Sequence, residues 1–195
     1  APGADRGRHV DDVVDAVADE RRGRAHHAVA LAPDPHRHPR LGQQRAALLQ
    51  PLLQPLAAQQ LVRVHFSVTS LDPHLSARLE PRAAAPHARL RAMHRLHAAG
   101  IPVGVMFAPA IPWVNDHELE AVLEAARQAG ADSAGYVLLR LPHEVAPLFR
   151  DWLQAHMPQR AERVMSVLRQ MRGGRDYQAQ FGQRMRGQGR FADLL

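Results

Sequence analysis

Apolar and polar residues follow no sustained period over residues 1–60 and clear periods from Leu61 onward. In the first stretch only Asp11 to Glu20, with Val13, Val14 and Val17, reads as a short helix. From Leu61, Val62, Val64, Phe66 and Val68 alternate with Arg63, His65, Ser67 and Thr69. That period of two predicts a strand with one apolar and one polar face. Asp72-Pro73 predicts an N-cap followed by proline at the first helical position, opening a short helix through Leu79 that Pro81 ends. Pro86 to Ala99 predicts a second helix, with Leu90, Met93 and Leu96 inward and Gly100 as its stop.

Ile101 to Ala108 is a short apolar run suited to a buried parallel strand, and Pro109 and Pro112 stiffen the loop after it. Asn115-x-x-Glu118 resembles a capping box and predicts a helix start. The helix it opens carries Leu119, Val122, Leu123 and Ala126 on one face and stops at Gly130. Ser133 to Leu141 predicts a third strand, and Val145 to Met157 a helix with Leu148, Phe149, Trp152 and Leu153 on its inner stripe. Pro158 separates it from a last helix over Ala161 to Arg172, with Val164, Val167, Leu168 and Met171 inward and Gly173-Gly174 at its end. The tail to Leu195 reads as irregular.

Strands and helices therefore alternate, and each crossover is long enough for a right-handed βαβ unit with parallel strands. Three such units form part of a barrel or of a doubly wound sheet. Alone they leave exposed edges, so the pattern is that of a piece of something larger.

Composition alters the reading of the first third. Residues 1–65 use only Ala, Pro, Gly, Asp, Arg, His, Val, Glu, Leu and Gln, the residues of codons that begin with G or C. From Phe66 onward, 24 of 130 residues fall outside that set. At that rate a run of this length without one has a chance on the order of 10⁻⁶. A GC-rich gene read one base out of register gives this alphabet, because its GC-rich third positions become first positions. The expectation is that 1–60 is an out-of-frame or disordered segment, 61–157 a partial barrel and 158–195 a basic C-terminal extension. A low-complexity extension of a GC-rich genome is the competing account.

There is no Cys, which excludes disulfides, thiolate metal sites and Cys-ligated iron–sulfur clusters. All 25 basic residues are Arg. No apolar run approaches the ~18–20 residues of a membrane span, and the N-terminus is polar, so the expectation is a soluble, cytoplasmic chain with no membrane partner. The net charge is +6, and residues 160–190 account for all of it, with eight Arg against Glu162 and Asp176. Arg163, Arg169, Arg172, Arg175, Arg184 and Arg186 are candidates for contact with nucleic acid, and a solvated helix face is the alternative.

Parallel α/β folds bind ligands at the C-terminal ends of their strands. Those ends hold Ser67, Thr69, Ser70 and Asp72, then Met106, Ala108 and Pro109, then Leu138, Arg140 and the loop Leu141-Pro142-His143-Glu144. His65, Ser67 and Thr69 on an interior face would offer polar groups to a ribose, and Gly104 and Ala108 would leave room for a flat ring. Equally, Ser67 and Thr69 could serve only to satisfy the strand end. Arg140, His143 and Glu144 form a candidate acid–base group, although Glu144 also suits a helix start. His26, His27, His36 and His38 suggest a metal cluster by composition, but Pro33, Pro35 and Pro39 break the segment and no metal site is expected there.

Several motifs together resemble radical SAM proteins, in particular the group related to spore photoproduct lyase. They are Ser67-Val-Thr-Ser-Leu-Asp-Pro73, Leu79-Glu-Pro-Arg-Ala-Ala-Ala-Pro86, Gly100-Ile-Pro-Val-Gly-Val-Met106, Pro109-Ala-Ile-Pro-Trp-Val-Asn-Asp116 and Gly135-Tyr-Val-Leu-Leu-Arg-Leu-Pro142. The tail segments Met171-Arg-Gly-Gly-Arg-Asp-Tyr177 and Phe181-Gly-Gln-Arg-Met185 extend the resemblance, which covers residues 55–195. It implies a six-unit (βα) partial TIM barrel, of which this segment is the C-terminal half, strands four to six, with a helical, Arg-rich extension. It also implies S-adenosylmethionine and a [4Fe–4S] cluster as the parent's cofactors. By that resemblance Ser67 and Thr69 approach the SAM ribose, while Val105, Met106, Phe107, Ala108 and Pro109 lie beside the adenine. Tyr136, Val137 and Leu138 contribute near it. The family's three closely spaced Cys are missing, so neither cofactor is expected to bind this chain as it stands. The expectation is a fragment of a radical SAM enzyme, inactive alone. The rivals are a non-catalytic nucleic-acid-binding module and a cluster-free α/β enzyme using Arg140, His143 and Glu144.

Overall fold

A computed structural model describes residues 27–28, 41–177 and 185–194, with backbone only for 27–28 and 41–47. The expected helix at 11–20, His26, His36, His38 and Arg184 lie outside the described residues. The elements in order are β1 (His27–Ala28), α1 (Leu41–Ala58), β2 (Val62–Ser67), α2 (Pro73–Leu79), α3 (Pro86–Ala98) and β3 (Val103–Ala110). There follow a 3₁₀ turn (Asp116–Glu118), α4 (Leu119–Gln128), β4 (Ser133–Leu138), α5 (Val145–His156), α6 (Ala161–Gln170) and a final 3₁₀ turn (Ala192–Leu194). Sheet order is β1-β2-β3-β4. β2 pairs in parallel with β1 and β3, with Val64 opposite Val103 and Ser67 opposite Met106. The three-strand parallel core β2–β4 is the α/β arrangement that the sequence predicts.

The described chain divides into two compact units. The first holds residues 27–28, 41–107 and 118–135; the second holds 108–117, 136–177 and 185–194. In the first, Val62, Val64, Phe66 and Val68 of β2 are buried as the alternation requires, together with Val103, Val105 and Phe107 of β3. Met93 and Leu96 of α3 and Val122 and Ala126 of α4 are buried too. In the second unit, Ala146, Phe149 and Leu153 of α5 and Val164, Leu168 and Met171 of α6 and the turn after it are buried.

Helix starts and stops follow the sequence signals closely. Asp72 caps α2, its carboxylate accepting the His74 N–H at 2.8 Å, with Pro73 at the first helical position. Gly100, Gly130, Gly173 and Gly174 follow helices at positive φ, where a side chain would be strained.

Four expectations are corrected. The first third is not irregular throughout, because residues 41–58 are helical. Pro51 and Pro55 sit inside α1 and obscure its period. Leu53 and Ala57, one turn apart, are its buried positions, and α1 packs on α3 and β2. The strand expected at 101–108 is shifted to 103–110. Ile101 donates its N–H to Leu96 O and closes the end of α3, and the ladder starts only after Pro102, whose carbonyl accepts from Val64 N. The strand expected to reach Leu141 ends at Leu138, and Leu141 is a buried loop residue. Leu148 is 61 % exposed instead of lying on the inner stripe, and Trp152 stacks on Phe149 at 5.8 Å.

If α1 docks through Leu53, the Leu53→Ala substitution should cost about 2–5 kcal/mol of stability. Leu52→Ala, one position away and exposed, should change stability by no more than about 0.5 kcal/mol. Urea unfolding of the two variants measures the difference.

Candidate functional site

In the first unit, the C-terminal end of β2 runs into a polar knot. Thr69 and Ser70 are both buried. The Thr69 hydroxyl donates to Glu80 Oε2 at 2.9 Å, and Arg89 donates to the same oxygen at 2.8 Å. Arg89 also donates to Ser67 O at 2.6 Å and to Ala84 O at 2.8 Å, so one guanidinium ties the strand end to the α2–α3 loop. Glu118 holds the next segment. Its carboxylate accepts from the Ser70 hydroxyl and from Leu71 N, each at 2.7 Å. Ser70 Oγ in turn accepts from Asp72 N at 2.9 Å.

The capping box expected from Asn115 and Glu118 does not form. Glu118 occupies the cap position of α4 without a side-chain cap bond, because the 3₁₀ turn before the helix directs its carboxylate to the β2 loop. Asn115, fully buried in the second unit, folds its own loop instead. Its Oδ1 accepts from Ile111 N at 2.7 Å and its Nδ2 donates to Pro109 O at 2.9 Å. Glu118, Glu80 and Arg89 were not legible as site residues, since each acts across a gap in sequence that no local motif records.

On the polar face of the same sheet, the space expected above Gly104 is filled. A Cβ there would lie 2.5 Å from Ser133 Oγ and 2.7 Å from the His65 ring, so glycine is what lets the imidazole sit on the strand. Arg63 pairs with Asp132 and donates to Ser133 Oγ at 2.8 Å. Burial, and then the neighbouring Arg63 charge, push the His65 pKa below its ordinary 6.5.

The second unit holds the remaining candidates. Ala108, Pro109, Tyr136 and Val137 are half-buried, and Leu138 is fully buried with its N–H donated to Met185 O at 2.8 Å. In the first unit Ser67 and Met106 are half-buried, whereas Val105 and Phe107 are core residues. The ten predicted cofactor-binding positions thus fall in both units. Six have partly accessible side chains, and Thr69, Val105, Phe107 and Leu138 are buried.

The acid–base reading of Arg140, His143 and Glu144 finds no assembled group. His143 and Glu144 are exposed, and His143 at φ 40 makes no hydrogen bond to Glu144. Arg140 donates to the Tyr177 hydroxyl at 3.0 Å.

The Arg-rich segment also divides. Arg172 is 2 % exposed and donates to Leu139 O, so it serves the fold and not a surface partner. Burial, then the nearby Arg140 charge, lower its pKa. Arg169 bonds Asp176 at 2.8 Å, Arg150 pairs with the same carboxylate, and together they hold its pKa below the ordinary 3.8. Arg163, Arg175 and Arg186 are exposed. Among the described residues no three His, Asp or Glu side chains converge on a metal position, and no helix is long and apolar enough to cross a membrane.

Comparison with known proteins gives partial matches. Residues 43–126 match the model of the Radical SAM superfamily. The chain is also 31 % identical over 121 residues to an uncharacterized protein of Mycobacterium bovis and to uncharacterized proteins of two Mycobacterium tuberculosis strains, CDC 1551 and H37Rv. The alignments take in 61 % of this chain and 36 % of each relative, so it spans little more than a third of their length. No solved structure matches.

Two variants test these clusters. Glu118→Ala leaves the Leu71 N–H and the Ser70 hydroxyl without their acceptor and should cost about 1–3 kcal/mol in urea unfolding. His65 is held neutral by the fold, so its contribution is complete above pH 6.5 and is lost as pH falls below that value. The stability difference between the native chain and His65→Gln should therefore shift against the native chain between neutral and mildly acidic pH.

Proposed function

We propose that this chain is the C-terminal part of a radical SAM enzyme, related to spore photoproduct lyase by the strand-end motifs quoted above. The observation that carries the reading is the superfamily match over 43–126, which falls on the parallel β2–β3 pair and its crossover helices. When bound in the parent, the [4Fe–4S] cluster supplies the electron that cleaves S-adenosylmethionine. The residues present do not fit that cluster, because the chain offers no thiolate.

For S-adenosylmethionine itself, the proposal is carried in each unit by itself through partly accessible side chains at or near strand ends: Ser67 and Met106 in the first, and Ala108, Pro109, Tyr136 and Val137 in the second. Thr69 is committed to Glu80, and Val105, Phe107 and Leu138 could take part only through backbone. The match begins at residue 43, inside the segment of restricted alphabet. A break in reading frame is therefore proposed upstream of residue 43; it would account for the missing Cys and for the alphabet of the residues before it, while the same alphabet over 43–65 is left to GC-rich coding in frame.

Resequencing the coding DNA in all three frames tests this. The expected result is a neighbouring frame with three closely spaced Cys codons. The protein it restores should take up iron and sulfide and, once reduced, release 5′-deoxyadenosine from S-adenosylmethionine. A restored protein that binds no cluster, or the lack of any such frame, overturns the reading.

A further inference from the structure

The second unit contains an open groove of about 460 Å³ that the radical SAM reading does not use. Trp113 and Phe191 form its aromatic walls, with ring centroids 6.3 Å apart and planes tilted by 51°. Arg163 and Ser166 of α6 and Gln170 at its end supply the polar lining. The volume lies within the ~300–1,000 Å³ typical of small-molecule sites.

Two features give the groove a chemistry. The Arg163 guanidinium carbon lies over the Trp113 ring, 3.7 Å from its centroid. A guanidinium stacked in this way uses its face, and its N–H donors point outward from the edge, as an oxyanion requires. Among the described residues Arg163 forms no ion pair, although Glu162 lines the same groove. Second, Trp113 is held at φ 63, a conformation a bulky residue rarely adopts, with its carbonyl accepting from Arg160 at 3.2 Å. Strain of this kind clusters at binding positions.

We propose that this groove binds a nucleotide unit. The phosphate lies on the outer edge of Arg163, and the base lies flat against Phe191, since the guanidinium already covers the Trp113 ring. The exposed Arg160 and Arg190 add positive charge in the same segment. Aromatic faces next to arginine suit any base, so recognition should tolerate base identity. The proposal is independent of the radical SAM reading, since it uses no strand-end residue.

The test is fluorescence titration of Trp113 in the Trp152→Phe chain, with AMP, adenosine, inorganic phosphate and a short oligodeoxyadenylate as probes. Saturable AMP binding is expected, at least about tenfold tighter than adenosine or phosphate, with a similar loss in Arg163→Ala, about what one charge-assisted contact supplies. Arg163→Lys should recover only part of the affinity, because lysine lacks the planar fork. An oligonucleotide that binds more tightly than AMP, with a steeper salt dependence, would identify a strand as the source of the ligand; equal binding would identify free nucleotide. The proposal is overturned if neither AMP nor the oligonucleotide saturates. It is also overturned if phosphate alone binds as well as AMP, or if Arg163→Ala binds as the native groove does.

Discussion

Parallel pairing is the constraint on which the rest of this molecule depends. Two parallel neighbours cannot be joined by a tight turn, so each strand must return through a helix. That requirement sets the order of elements, buries Val62, Val64, Phe66 and Val68 beneath the crossover helices, and brings successive strands to their C-terminal ends along one edge. Past Val68, whose N–H still donates to Met106 O of β3, side chains take over: Glu118 accepts from Leu71 N, and Arg89 donates to the strand's last carbonyl, Ser67 O.

This explains a duality in the polar residues of the strand ends. Thr69 and Ser70 sit where a ligand of an α/β fold would be held, yet their hydroxyls already bond carboxylates of the same chain. A hydroxyl that donates in this way still has acceptor capacity, so anchoring the loop and facing a ligand are compatible. The knot keeps that edge shaped in the free protein and limits the rearrangement that binding would require.

The legible part of the fold was local. The period of two in β2, the Asp72-Pro73 cap and the glycines after the helices each state their role within a few residues. What escaped was tertiary. Asn115 and Glu118 carry a local capping pattern, but each is recruited by a partner that the pattern does not contain. Arg172 belongs to a basic run and yet is drawn inward by the carbonyl of Leu139, because the end of β4 leaves that acceptor open. Helix α1 was hidden by its prolines and by a restricted alphabet that suppresses contrast between apolar and polar positions.

Those prolines have a further consequence. Each removes one amide from the helical ladder, at positions 51 and 55, so two carbonyls on successive turns lose their ordinary donor. A helix interrupted in this way is a poor independent former. Its order depends on contact with α3 and β2. The expected consequence is that its amides exchange with solvent before those of the sheet beneath it.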